Sequence, residues 1–229
     1  MRGKNMNQFI AAWEFALNNF QYLFLLALPV MVSEMLVAYL IMPLEGMDPV
    51  DVTEYMSGNL TSIMIASLIA IVLSVSFTGG LMIAYQSIMM QKNSNPINAL
   101  FAGFQKFFPL FGATILSSLL IFLGLILLIL PAFYFMGRLY LFPAYIMFKN
   151  KGVMDSLRSS WEATDEHGAT LFFLTLIFFI LTIVPGTLIS GVIFQDNSFA
   201  GIIGAGLIEY IIILPWMYIY FSLYKSINS

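Results

Sequence analysis

Apolar residues run almost unbroken through six stretches of this chain, at 19–42, 61–90, 109–130, 132–148, 169–192 and 201–224, and polar residues gather between them. Crossing the hydrocarbon core of a bilayer takes about 20 apolar residues as an α-helix, so the pattern predicts six transmembrane helices. The second stretch is long enough to tilt or to project beyond the bilayer. The fourth is short and carries Arg138. The expected fold is an all-α membrane protein, a single integral membrane domain over residues 1–229.

The polar intervals have their own period. Phe9, Trp13, Ala16, Leu17 and Phe20 recur at helical spacing, with Asn7, Glu14 and Asn18 opposite. Beyond Asn95 and Pro96, a cap and a first helical residue, come Ile97, Leu100, Phe101, Phe104, Phe107 and Phe108. A third set has Val153, Leu157 and Trp161 on one face and Asp155, Arg158, Ser159 and Glu162 elsewhere. Each predicts a short amphipathic helix in the cytoplasmic interface, with Trp13, Phe104 and Trp161 as candidate anchors. Each also precedes a hairpin whose first helix is expected to end on two aliphatic residues and proline: Ile41-Met42-Pro43, Ile129-Leu130-Pro131 and Ile183-Val184-Pro185. The reading is three hairpins, in repeat units of approximately 7–90, 96–150 and 152–225. The alternative is that apolar helices resemble one another by composition alone.

Composition narrows the function. Of 229 residues 60% are hydrophobic and 9% charged, more apolar surface than a soluble fold of this size can bury. A net charge of −3 lacks the basic footprint of nucleic-acid binding. The absence of cysteine excludes disulfides, iron–sulfur clusters, thiolate zinc sites and a cysteine nucleophile, and a single histidine excludes a multi-histidine metal site. No cofactor is expected. Residues 1–4 are basic, but a polar-flecked stretch follows with no small-x-small cleavage site, so no cleavable signal is read there.

Eight of the nine Lys and Arg residues fall on one side of the six-span arrangement. The opposite loops carry Glu45, Asp48, Asp51, Glu54 and Asp196 and no base. The positive-inside rule then puts both termini in the cytoplasm, which for this pattern means a bacterial inner membrane. Losing the fourth span would turn the basic segment 149–158 outward, against the rule.

Charges inside spans are expensive and usually face the bundle interior. Glu34 lies eight residues before Met42, Arg138 seven after Pro131 and Glu209 eight after Gly201. At 1.5 Å per residue all three fall about 10–12 Å below the outer surface, so a shared Glu34–Arg138–Glu209 site is expected, either a binding site or a structural ion pair. Pro29, Pro143 and Pro215 interrupt the same three spans, and Gly79-Gly80 interrupts the second. Backbone freed by proline lines a cavity in many transporters; a plain packing kink is the alternative. Catalytic candidates are poor. His167 sits at a helix end, Ser156, Ser159 and Ser160 near Arg158 lack a Gly-rich phosphate loop, and no span holds a histidine or lysine to activate a serine.

The segment 129–166 carries a family likeness. Leu130-Pro131-Ala132, the interrupting Pro143, Lys151-Gly152 and the amphipathic run from Ser156 to Trp161 resemble the YciC-like bacterial inner-membrane proteins, and more distantly the membrane domain of some glycerophosphodiester phosphodiesterases. The resemblance implies a multi-span fold without catalysis, since those phosphodiesterases keep theirs in a separate soluble domain. The leading expectation is a non-enzymatic membrane protein that handles a lipid or small amphiphile or stabilises a membrane assembly. Its partners would be membrane lipids, with a membrane-protein partner or a second copy as the further options. The alternative is a small transporter using the three charges. A ligand-sized cavity reaching them favours the transporter, and a dry bundle with an open apolar groove favours the first reading.

Overall fold

A computed structural model describes residues 2–92, 95–193 and 199–228, and among them the regular structure is helical throughout. Asp196 lies outside the described residues. The helices in chain order are α1 (Arg2–Asn18), α2 (Phe20–Ile41), α3 (Pro49–Met89), α4 (Pro96–Gln105), α5 (Phe107–Leu127), α6 (Ile129–Leu139), α7 (Phe142–Lys149), α8 (Val153–Ala163), α9 (Gly168–Thr187) and α10 (Phe199–Asn228). Six helical stretches are long and apolar enough to cross a membrane, with α6 and α7 together forming the fourth. The chain is a multi-pass membrane protein.

α3 is 41 residues long and begins well before the apolar stretch read from the sequence. Pro49 suits the first helical position and Asp51 complements the dipole of the first turn. The polar turns that follow are tied to α2, because Tyr55 donates to the carbonyl of Leu40 over 2.8 Å. Gly79-Gly80 does not interrupt this helix. It lets α4 approach: a Cβ on Gly80 would lie 3.0 Å from the Ala99 carbonyl, and one on Gly103 would collide with the carbonyl of Ser76. α4 therefore packs through Ala99 and Gly103, and the Phe101 and Phe104 side of the helix is exposed.

The three candidate aromatic anchors pack in different ways. Trp13 of α1 stacks on Phe178 of α9, Trp161 of α8 meets Tyr134 and Phe135 of α6, and Phe104 touches only Phe101 among the ring contacts. The three aliphatic-proline turns also differ from one another. Pro43 follows α2 in a 3₁₀ turn, Pro131 falls in the first turn of α6 where its missing N–H costs nothing, and Pro185 lies inside α9.

The main core gathers Leu23 and Leu26 of α2, Phe77, Leu81 and Tyr85 of α3, Phe178 of α9 and Tyr220 and Phe221 of α10. Its buried hydroxyls are satisfied: Tyr85 donates to the Leu214 carbonyl at 2.7 Å, and Tyr220 pairs with Thr175 at 3.1 Å. A second core joins Val75, Leu110, Leu139, Phe142, Ile146 and Leu157. These two cores fix α2 against α10 and α8 against α6.

Candidate functional site

The structure separates the three charges that depth counting put together. Arg138 is 2% exposed, and its ion partner is Asp165, at 3.0 Å, whose side chain is 79% exposed. Its Nε donates to Thr164 Oγ1 at 2.9 Å, Nη1 to the Tyr134 hydroxyl at 2.6 Å, and Nη2 to the Trp161 carbonyl at 2.6 Å. The guanidinium carbon lies 4.3 Å from the Trp161 ring centroid and 5.5 Å from that of Tyr134. Every strong partner except Tyr134 comes from α8 or the turn after it. Three neutral oxygens, two ring faces and the exposed Asp165 together hold the guanidinium in place.

The physical cause is a break in the fourth span. Pro143 has no N–H for the carbonyl of Leu139. The chain bends at Tyr140 and Leu141, between α6 and α7. Ser160, fully buried, fills the gap: its Oγ lies 2.7 Å from the carbonyls of Arg138 and Leu139 and accepts the Leu141 N–H at 3.1 Å. The carbonyl freed by Pro143 is thus taken up by Ser160. Pro131 and Arg138 lie in one unbroken helix, so the count between them holds; what it could not give is the partner, because α8 turns back along α6 and α7 and brings its own polar end to the guanidinium.

Glu34 and Glu209 do share a site, between α2 and α10. α2 supplies Met31, Glu34, Met35, Ala38 and Ile41, and α10 supplies Ile202, Ala205, Gly206, Glu209 and Tyr210. Both sets follow the three-and-four spacing of one helix face. The facing small residues Ala38, Ala205 and Gly206 leave room between the helices, and the result is a cavity of about 660 Å³. Met42, Leu44 and Glu45, from the turn after α2, complete its rim. Among the described residues neither Arg138 nor any other base lines it.

Within the cavity the Tyr210 hydroxyl donates to Glu34 Oε2 at 2.5 Å, and the Tyr210 ring packs edge-on against Phe77, 5.7 Å away. Tyr210 was not among the residues singled out from the sequence, although its adjacency to Glu209 was the available signal. Among the described residues Glu209 has no hydrogen-bond or ion-pair partner. A carboxylate in mid-membrane costs about 2.5–3.5 kcal/mol on insertion scales. A single hydrogen bond to a charged group returns about 1.5–3 kcal/mol. One tyrosine therefore falls short of compensating two acids, and water in the cavity, a proton held by the pair or a cationic occupant supplies the rest. Among the described residues no group of three His, Asp or Glu is placed to hold a metal ion.

Comparison of the chain with protein-family models, with curated proteins and with solved structures finds no match in any of the three.

Proposed function

We propose that this chain is a non-enzymatic protein of a bacterial inner membrane, of the YciC-like kind that its 129–166 segment resembles, and that it binds a small cationic ligand in the cavity between α2 and α10. One observation carries the reading. A ligand-sized space in the bundle is walled by apolar side chains and by Glu34, Glu45 and Glu209, with no base to neutralise them. A positive charge entering it would meet the half-buried Glu34 and the exposed Glu209 and Glu45 at short range. Arg138 drops out of the ligand site and serves the fold. In this reading the spans form three hairpins, α1, α4 and α8 belong to the cytoplasmic side, and both termini are cytoplasmic. The placement of Lys149, Lys151 and Arg158 after the fourth span, against Glu45, Asp48, Asp51 and Glu54 in the first opposite loop, supports that orientation.

The test is equilibrium binding of tetraphenylphosphonium to the full chain in lipid nanodiscs. The expected result is saturable binding, with neutral triphenylphosphine oxide failing to compete. The double variant Glu34→Gln, Glu209→Gln should weaken it at least tenfold, which is about 1.4 kcal/mol. Equal binding by the parent and by a double variant of unchanged melting temperature rejects the site.

A further inference from the structure

The cavity has a neighbour. On the bilayer side of the same two helices an apolar groove of about 690 Å³ is lined by Met31, Val32, Met35, Leu36, Tyr39, Phe199 and Ile203. Met31 and Met35 stand in the walls of both spaces. They are the partition between an acidic interior and an apolar exterior. Val32, Leu36, Tyr39 and Phe199 are about half exposed, so the groove faces outward from the bundle.

Resting on the reading of the acidic cavity as a cation site, the geometry points to a single-chain cationic amphiphile as its ligand. Its head group reaches Glu34 and Glu209, and its alkyl chain lies in the groove, crossing between Met31 and Met35. A small hydrophilic cation would leave the groove without a role, and an uncharged chain would leave the carboxylates unmatched. The partition suits passage. Methionine is unbranched, with three rotatable side-chain bonds and a polarizable thioether, so it re-packs around a chain more readily than Leu or Phe. The tip of Met35 is seated against Gly206, where an added Cβ would lie 2.6 Å from its Cε. Gly206 thus gives that flexible tip room on the α10 side. The ligand would thus arrive laterally from the bilayer, where an amphiphile is already concentrated.

Because a chain in lipid gains little free energy by moving to an apolar groove, chain-length dependence is a weak readout, and position is the measurement to make. The probe is dodecyltrimethylammonium carrying a diazirine at mid-chain, photolysed with the full-length protein in nanodiscs and mapped by peptide mass spectrometry. Labelling is expected on residues 31–39 and 199–203, at least fivefold above the lipid-facing residues 119–126 of α5, and excess tetraphenylphosphonium should suppress it. A dodecyl maltoside probe with the same diazirine should show no such enrichment. Cationic-probe labelling at 42–45, or spread evenly over the lipid-facing helices, overturns the lateral groove. Enrichment that persists in Glu34→Gln, Glu209→Gln overturns it too, since the groove would then hold chains without the head-group site. In these cases glutamate-dependent tetraphenylphosphonium binding still stands, whereas its loss defeats the cation site itself.

Discussion

The hydroxyl of Ser160 sits 2.7 Å from the carbonyl oxygen of Leu139, the acceptor that α-helical geometry would pair with the missing N–H of Pro143. The serine on α8 therefore repairs a defect that the proline makes in the fourth span, and repair and defect are testable as a pair. Ser160→Ala takes the side-chain partner from the Leu139 carbonyl and the Leu141 N–H, while the Arg138 carbonyl keeps Thr164 Oγ1 at 3.1 Å, and should cost about 1–3 kcal/mol. Pro143→Ala in the same background restores a donor to the Leu139 carbonyl and should recover part of that loss. Thermal unfolding in detergent of the two single variants and the double gives the coupling. Strict additivity contradicts the repair.

Arg138→Ala should be among the most damaging single changes, on the order of 3 kcal/mol, because it empties a buried volume beside two rings and removes the hydrogen bonds that tie α6 to α8 and the turn after it. Asp165→Asn should cost less than about 1 kcal/mol, since that side chain is 79% exposed and remains hydrated. Glu209→Gln should do nothing to rescue Arg138→Ala, since the two residues share no partner. Recovery of stability in that double variant would show that Arg138 and Glu209 interact after all.

Two glycines with opposite surroundings give a paired expectation. Gly103→Ala drives a methyl into the Ser76 carbonyl, and backbone cannot yield, so α4 must part from α3 and the melting temperature should fall by several degrees. Gly58, within α3, has nothing within 4 Å of an added Cβ. Gly58→Ala should instead raise stability by about 0.5–1 kcal/mol through helix propensity alone. Similar responses at the two sites would mean that the α3–α4 contact is not as close as described.

Orientation is open to a direct measurement, since the chain has no cysteine of its own. Asp51→Cys should react with a membrane-impermeant maleimide in intact cells, and Lys149→Cys should react only after lysis. Labelling of both in intact cells, or of Lys149→Cys alone, rejects the proposed orientation.

The number of spans, the charge asymmetry and most helix bounds were legible in the sequence, because each depends on local quantities: the length of an apolar run, the sign of a loop, a cap at Asn95. The face holding Glu34 and the face holding Glu209 were legible too, as three-and-four spacings on two helices. That these faces meet, and that Arg138 turns away from both, depended on azimuth and on chain reversal, neither of which residue counting carries. The break before Pro143 lies beyond Arg138, so depth along α6 was countable, but the return of α8 onto that helix was not. The amphipathic segments show the same limit. Their aromatic spacing predicted which side is apolar, yet packing density chose small residues for α4, where Gly103 and Gly80 admit backbone to backbone contact that no phenylalanine allows. Sequence fixed which groups must be kept from lipid, through the cost of burying them. Tertiary structure alone decided their partners, because Arg138 found acceptors on α8 and the turn after it, while Glu34 and Glu209 were left facing a space between helices at Ala38, Ala205 and Gly206.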